Sequence, residues 1–404
     1  MSGSASLAQT ETAADAETVE PRRSLFGACL AHALHDGYTD LLYVLLPIWQ
    51  TEFGLSYAGV AAMRSLYYGT MGGLQVPADR LVDRMPIRTA LVLSTLVAAA
   101  GFCVMALTES FWGLCTGLLL AGIGSSIQHP RGSLLVTQAF GNSARGPLGI
   151  YNFSGDLGKA AFPVVVALLL GLFAWRTTAS FIAVAGAVVA ISLLPILPRA
   201  MPVRYDGKAS REGSGDRRGF RLLLAIGGLD TATRMGYLLF LPFLLHTKGG
   251  DQATVGLSLA LVFAGGAFGK AACGWLGEHL GVVRSVVATE LATALLIAVT
   301  IPLPLTATLV VLPLIGIFLN GTSSVLYGTV PELAPRGDVG RAFALFYTAV
   351  IGSGGVAPIA YGALADHMGE TLGVLAAALT ALVIVPLVLG LRPALVATGS
   401  AEQA

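Results

Sequence analysis

His32, Asp36, Asp40 and Tyr43 stand at i, i+4, i+8 and i+11, on one face of a helix, with His35 beside them. A carboxylate next to imidazoles suits a proton relay, because a low-dielectric setting moves its proton affinity toward the working pH. The same stripe also fits a set of interhelical hydrogen bonds that fix packing. Two acid–base couples, Asp156 with Lys159 (i, i+3) and Asp230 with Arg234 (i, i+4), are either self-neutralising ion pairs or a site for a charged ligand. Arg64 has no acid within a helical turn, and its planar guanidinium suits a bidentate grip on a carboxylate or phosphonate. His129 precedes Pro130, whose missing N–H perturbs a helix, so it reads as a gate or proton acceptor, or as a buried hydrogen-bonded histidine. Arg131 and Lys270 are expected to snorkel toward a helix end, and Glu290 to pair with a nearby base without a role in function.

All of these residues interrupt apolar runs, where an ionisable side chain costs several kcal/mol unless it faces a cavity or a partner. The chain is 55% hydrophobic and 12% charged, whereas soluble domains carry about a quarter charged residues. With about twenty residues per crossing, its 404 residues allow roughly twelve membrane helices and no separate catalytic domain. The runs fall near 25–50, 56–79, 88–107, 111–135, 146–171 and 175–197, and again near 220–246, 252–276, 283–304, 307–330, 340–365 and 370–391. This divides the chain into a polar tail (1–24) expected to be disordered, a first half (25–198), a polar linker (199–219), a second half (220–392) and a short tail (393–404). The first tail has no apolar stretch ahead of Arg22 and Arg23, so it does not read as a signal peptide.

With the N-terminus inside, seventeen basic residues fall in the tails, linker and even-numbered loops, against Arg176 and Lys248 on the other side. That asymmetry places both termini in the cytoplasm. A net charge of +1 argues against a nucleic-acid surface, and the four cysteines form no CxxC pair, which argues against disulfides and zinc.

The two halves repeat. Pro47 stands 36 residues before Asp83, and Pro242 stands 36 before Glu278. Ser125, Pro130, Arg145, Tyr151 and Pro163 are echoed by Ser323, Pro331, Arg341, Tyr347 and Pro358, at offsets between 195 and 201. Relative to these prolines Asp230 holds the place of His35, while Asp156 and Lys159 correspond to Gly352 and Gly355, so the shared fold does not require charge there. Parallel six-helix halves are one signature of secondary transporters, whose sites lie between the repeats.

The loop GWLGEHLGVVR, Gly274 to Arg284, resembles the Gly-x-x-x-Asp/Glu-Arg-x-Gly loop of the major facilitator superfamily, with His279 in the basic place. Its first-half copy keeps Asp83, Arg84 and Arg88, but Asp79 and Pro86 replace the two glycines. HALHDG at His32 and GIGSSIQHPRGS at Gly122 resemble the fosmidomycin-resistance type of efflux transporter within that superfamily. Gly155 and Gly158 ahead of Pro163 are loosely similar to the glycine-rich fifth span of drug/proton antiporters. The resemblance implies an all-α membrane protein of twelve helices in two pseudo-symmetric six-helix bundles, exporting a small polar or anionic compound against protons.

On this reading the protein is an inner-membrane antiporter that rocks its halves around a midplane site. Proton uptake, with a lipid bilayer for surroundings, then uses His32, His35, Asp36, Asp40 and Asp156. The substrate meets Arg64, His129, Lys159, Asp230 and Arg234. Asp83, Arg84, Arg88, Glu278, His279 and Arg284 clamp the ends of the halves and set the conformational equilibrium. The protein is expected to act as a monomer, with no cofactor, metal or nucleic acid. Uptake by proton symport uses the same carboxylates, and a non-transporting sensor is the reading from another class. No nucleotide-binding loop, HExxH or nucleophile elbow suggests an enzyme.

Overall fold

The apolar runs do become helices. The structure, a computed structural model, describes residues 3–199, 216–335 and 339–397, without the side chains of residues 3–20, 142, 145, 274, 278, 339, 340 and 397. The helices are α1 (Gly3–Phe53), α2 (Tyr57–Gly73), α3 (Gln75–Leu81), α4 (Ile87–Leu107), α5 (Phe111–Phe140), α6 (Arg145–Leu170), α7 (Trp175–Ile196), α8 (Arg217–Thr247), α9 (Gln252–Leu280), α10 (Val282–Thr300), α11 (Leu305–Thr329), α12 (Val339–Met368) and α13 (Glu370–Ala397). No strand occurs among the described residues. The second apolar run breaks at Leu74 into α2 and α3. Pro77 has no N–H to offer the carbonyl of Gly73, and the Gly72-Gly73 pair before it is a poor helix former. Counting α2 and α3 as one span gives twelve. Linker residues 200–215 and tail residues 398–404 lie outside the described residues, and so, in the stretch assigned to the first tail, do residues 1 and 2 and the side chains of residues 3–20.

Nine of these helices are each long and apolar enough to cross a membrane. The three other long ones are α1 and α8, diluted by polar side chains in their middles, and α2 with 17 residues. These are the helices that carry His32, Asp36, Asp40, Arg64, Asp230 and Arg234. The turns after α1 and α8 use Gly54 (φ 61°) and Gly249 (φ 83°), left-handed positions 195 residues apart, so the repeat extends to the backbone. Asp251 caps α9 by accepting the Thr254 N–H at 2.8 Å and hydroxyl at 2.6 Å, which holds its carboxyl below the usual range.

Neighbouring helices approach closely where they are glycine-lined. A Cβ on Gly265 or Gly269 of α9 would strike the carbonyl of Pro313 or Ile317 on α11, and one on Gly158 of α6 the carbonyl of Ala33 on α1. Between the halves, α2 packs on α12 and α6 on α9. At the end opposite the termini, Asp366 of α12 accepts the backbone N–H groups of Tyr57 (2.6 Å) and Ala58 (3.1 Å) and so caps α2 from the other half. Trp49, Tyr67, Tyr237 and Phe240 belong to one buried core that spans both halves at that end. Toward the termini the cores separate, one around Leu91, Tyr151 and Leu193 and the other around Phe220, Phe346 and Leu391. The bundle is therefore sealed at the far end and divided at the end that carries its termini.

Candidate functional site

The helix period of α1 turns His32 and Asp36 toward α5 and α6. His32 Nδ1 lies 2.8 Å from the Tyr151 carbonyl oxygen and so donates to it, and the ring stacks on Tyr151 at 4.0 Å. This orientation leaves Nε2 facing Asp36 Oδ2 at 3.4 Å. His129 Nε2 reaches Oδ1 of the same carboxylate at 3.6 Å from α5, and Lys159 Nζ reaches Oδ2 at 3.1 Å from α6. A side chain at Gly155 would collide with the Asp36 carboxylate and the His32 ring, so this close approach requires that glycine. His32, Asp36 and His129 bring one ligand atom each within 4.8 Å of one another, a set able to hold a metal ion. The Lys159 ammonium already supplies a cation beside Asp36.

From Lys159 the charges continue across the molecule. Its ammonium lies 3.8 Å from Asp156 Oδ1, and Asp156 is gripped more closely by Lys270 of α9, at 2.5 and 2.7 Å. The sequence suggests a local pair between Asp156 and Lys159; each instead has a nearer partner, and the resulting row runs from α1 through α6 into the second half. Asp36 is almost wholly buried, whereas the Lys159 and Lys270 side chains are 27% and 37% exposed. The two lysines are therefore the accessible cations of this row.

A second cluster lies one to two turns further along α1. Arg64 is 3% exposed and sits between the rings of Tyr43 and Tyr68, 4.8 Å from each centroid. Its NH2 group is 3.8 Å from Asp40 Oδ1, too long for a hydrogen bond, and neither Nε nor that nitrogen has a hydrogen-bond partner. A buried cation with idle donors is costly, so those donors are free for a ligand. Arg234 of α8 bonds Thr231 Oγ1 at 3.4 Å and has the same two tyrosines among its electrostatic neighbours. Asp40 feels Arg64, Lys159 and Arg234 together, so bases from both halves converge on one acid.

Other expectations are corrected. His35, beside the stripe, is fully buried and bonds Ser125 at 2.9 Å and Thr95 at 3.2 Å inside the first half. Arg131 does not snorkel but is 2% exposed, held by Asp79 at 2.6 Å and Asp83 at 3.2 Å. Asp83 thus has its partner in its own half. Arg84 and Arg284 are exposed and Arg88 half-buried, while His279 bonds the Trp275 carbonyl of its own helix at 2.8 Å; the Glu278 side chain lies outside the described ones. Glu290 has an acid, Asp230, beside it where a base was expected. Lys270, Tyr68, Tyr151 and Glu290 are missing from the site residues expected above. Each owes its place to contacts between helices distant in sequence, which no single-helix period reveals.

Comparison with known proteins adds a lineage. The sequence model of the family described as Major Facilitator Superfamily matches residues 28–227 and 222–403. The Fosmidomycin resistance protein of Escherichia coli (strain K12) is 24% identical over 382 residues, covering 89% of this chain and 91% of the relative. The Gentisate transporter of Corynebacterium glutamicum is 25% identical, covering 76% and 73%. Among solved structures, a bacterial homologue of the human lysosomal transporter Spinster, inward-facing and unoccupied, superimposes with a TM-score of 0.74 at 16% identity over 94% of this chain and 98% of the other. A POT family transporter in complex with 5-aminolevulinic acid gives 0.74 at 12% identity over 92% and 96%. At such identities the two structures speak for the fold alone.

Proposed function

The chain belongs to the Major Facilitator Superfamily, and from that premise, which makes it a multi-pass membrane transporter and not an enzyme, we propose that it couples protons to the movement of a small anion. The observation that carries this reading is the set of idle, buried donors of Arg64 beside a row of paired acids and bases headed by Asp36. Arg64, Arg234 and Lys159 receive the anion. Asp36, with His32 and His129 on either oxygen, exchanges the proton. The sealed far end and divided near end are one station of alternating access. With seventeen basic residues on the terminal side, the open end faces the cytoplasm of an inner membrane, and protease access to the C-terminal tail in sealed vesicles reads that orientation.

One relative is named for resistance to fosmidomycin, and export in exchange for protons is a direction that would give resistance. The ion pairs favour a second reading. Lys159 is held by Asp36, and Arg64 stands beside Asp40. An anion that takes either base leaves an acid to be protonated, so anion and proton strengthen each other's binding and travel together. Vesicles containing the purified protein and labelled methylphosphonate, under an alkaline-inside gradient, separate the two. Loss of label from the lumen means exchange, and accumulation means co-transport. Fluxes indifferent to the gradient would overturn the proton-coupled reading.

Arg64→Lys keeps the charge and loses the planar fork. Anion binding should weaken by about 1–3 kcal/mol while thermal stability stays near the parent's. Arg64→Met should also destabilise the protein, because it removes the base beside Asp40. Unchanged affinity in Arg64→Lys, read by isothermal titration, would take Arg64 out of the site.

A further inference from the structure

Asp230 and Glu290 are 5% and 2% exposed, on α8 and α10, and their carboxyl groups are neighbours. Two ionised carboxylates repel and have no hydrogen between them, so a bond joining them requires a proton on one. The repeat shows that the fold does not demand acids here. His35 corresponds to Asp230 and Thr95 to Glu290, both at an offset of 195, and Thr322 adjoins Ser323, the counterpart of Ser125. In the first half, His35 bonds the hydroxyls of Thr95 and Ser125. In the second, Glu290 lies beside Asp230 and Thr322, and Thr322 donates to Thr289 at 2.8 Å. Hydroxyl groups and one imidazole suffice to tie the three helices together, so the two carboxyls do more than pack.

We infer that Asp230 and Glu290 form a second proton-binding site, in the C-terminal half, sharing one proton at rest and taking up another. The charged and titratable groups around the pair are Arg234 one turn along α8, Tyr327 on α11, and, around Arg234, Tyr43 on α1 and Tyr68 on α2. With one proton the pair carries a negative charge that holds Arg234. With two it is neutral, and Arg234 is released toward the anion. That role in coupling rests on the transport reading above, whereas the shared proton rests on the pair itself.

Infrared difference spectroscopy of the purified protein in lipid nanodiscs tests the pair without any substrate. At neutral pH the wild type should show a carboxylic-acid carbonyl band, shifted in heavy water, that is absent from Asp230→Asn and Glu290→Gln, and the band should grow on acidification. Glu290→Thr, which copies the first half's hydroxyl, serves where the amide variants do not fold and should lack the band too. In Arg234→Gln the band should persist to higher pH, because the guanidinium that favours the charged form is gone. A wild-type spectrum with no band that these substitutions remove would overturn the shared proton. An Arg234→Gln titration identical to the parent's would overturn the link to Arg234. Neither result depends on whether the protein moves an anion, so failure here is distinguishable from failure of the transport reading.

Discussion

Asp36→Asn should leave the protein folded and end accumulation of substrate driven by a pH gradient. One unit of pH is worth about 1.4 kcal/mol per proton, so a coupled parent sustains about a tenfold concentration ratio per unit and proton. The asparagine variant should fall to a ratio of about one, while still moving substrate down its own gradient. Asn keeps the size of the group and one oxygen acceptor, but it cannot take a proton and leaves Lys159 with Asp156 alone. Lys159 is 27% exposed, so water screens the orphaned charge and the loss of stability should stay within about 1 kcal/mol. Concentrative transport that matches the parent's would show that the proton travels elsewhere.

Gly269→Val should cause a large loss of stability. The new side chain would meet the backbone carbonyl of Ile317, and no rotamer change relieves a clash with a main-chain oxygen. Overpacking in a well-packed core costs about 1–3 kcal/mol and sometimes more; here α9 and α11 must separate along a seam that also holds Gly265 and Gly316. A sharp drop in the melting temperature, with reduced yield of monodisperse protein, is expected. Gly352→Ala is the control, because nothing lies within 4 Å of its Cβ position; it should be neutral or stabilise by about 0.5–1 kcal/mol through helix propensity. Equal melting temperatures for the two variants would mean that the seam is looser than described.

The twelve spans were legible because hydrophobic length is a property of each segment by itself. The polar face of α1 was legible for a similar reason: one helix period orders His32, Asp36, Asp40 and Tyr43 without reference to any other helix. Its partners were not. His129 and Lys159 meet Asp36 through the packing of α5 and α6 on α1, and Gly155 and Gly158 carry that contact, although alone they resemble any small-residue pair. Lys270 looked like a snorkelling end residue because its acid lies in the other half. The repeat reaches one acid further. Matching Asp230 to His35 and carrying the same offset from Thr95 would have reached Glu290, whose expected basic partner proved to be a second acid.

The row of acids and bases also bears on membrane voltage. Asp36, Asp40, Asp156, Asp230 and Glu290 share the interior with Arg64, Lys159, Arg234 and Lys270. With one proton between Asp230 and Glu290, and the histidines neutral, the acids and bases balance, so an empty carrier moves no net charge as its halves rock. A monovalent anion accompanied by one proton keeps that balance and passes electrically unseen. A divalent anion with one proton does not, and each uncompensated charge exchanges about 2.3 kcal/mol with every 100 mV of potential. Currents recorded from planar bilayers at equal pH on both sides therefore read the valence of the cargo less the protons that travel with it.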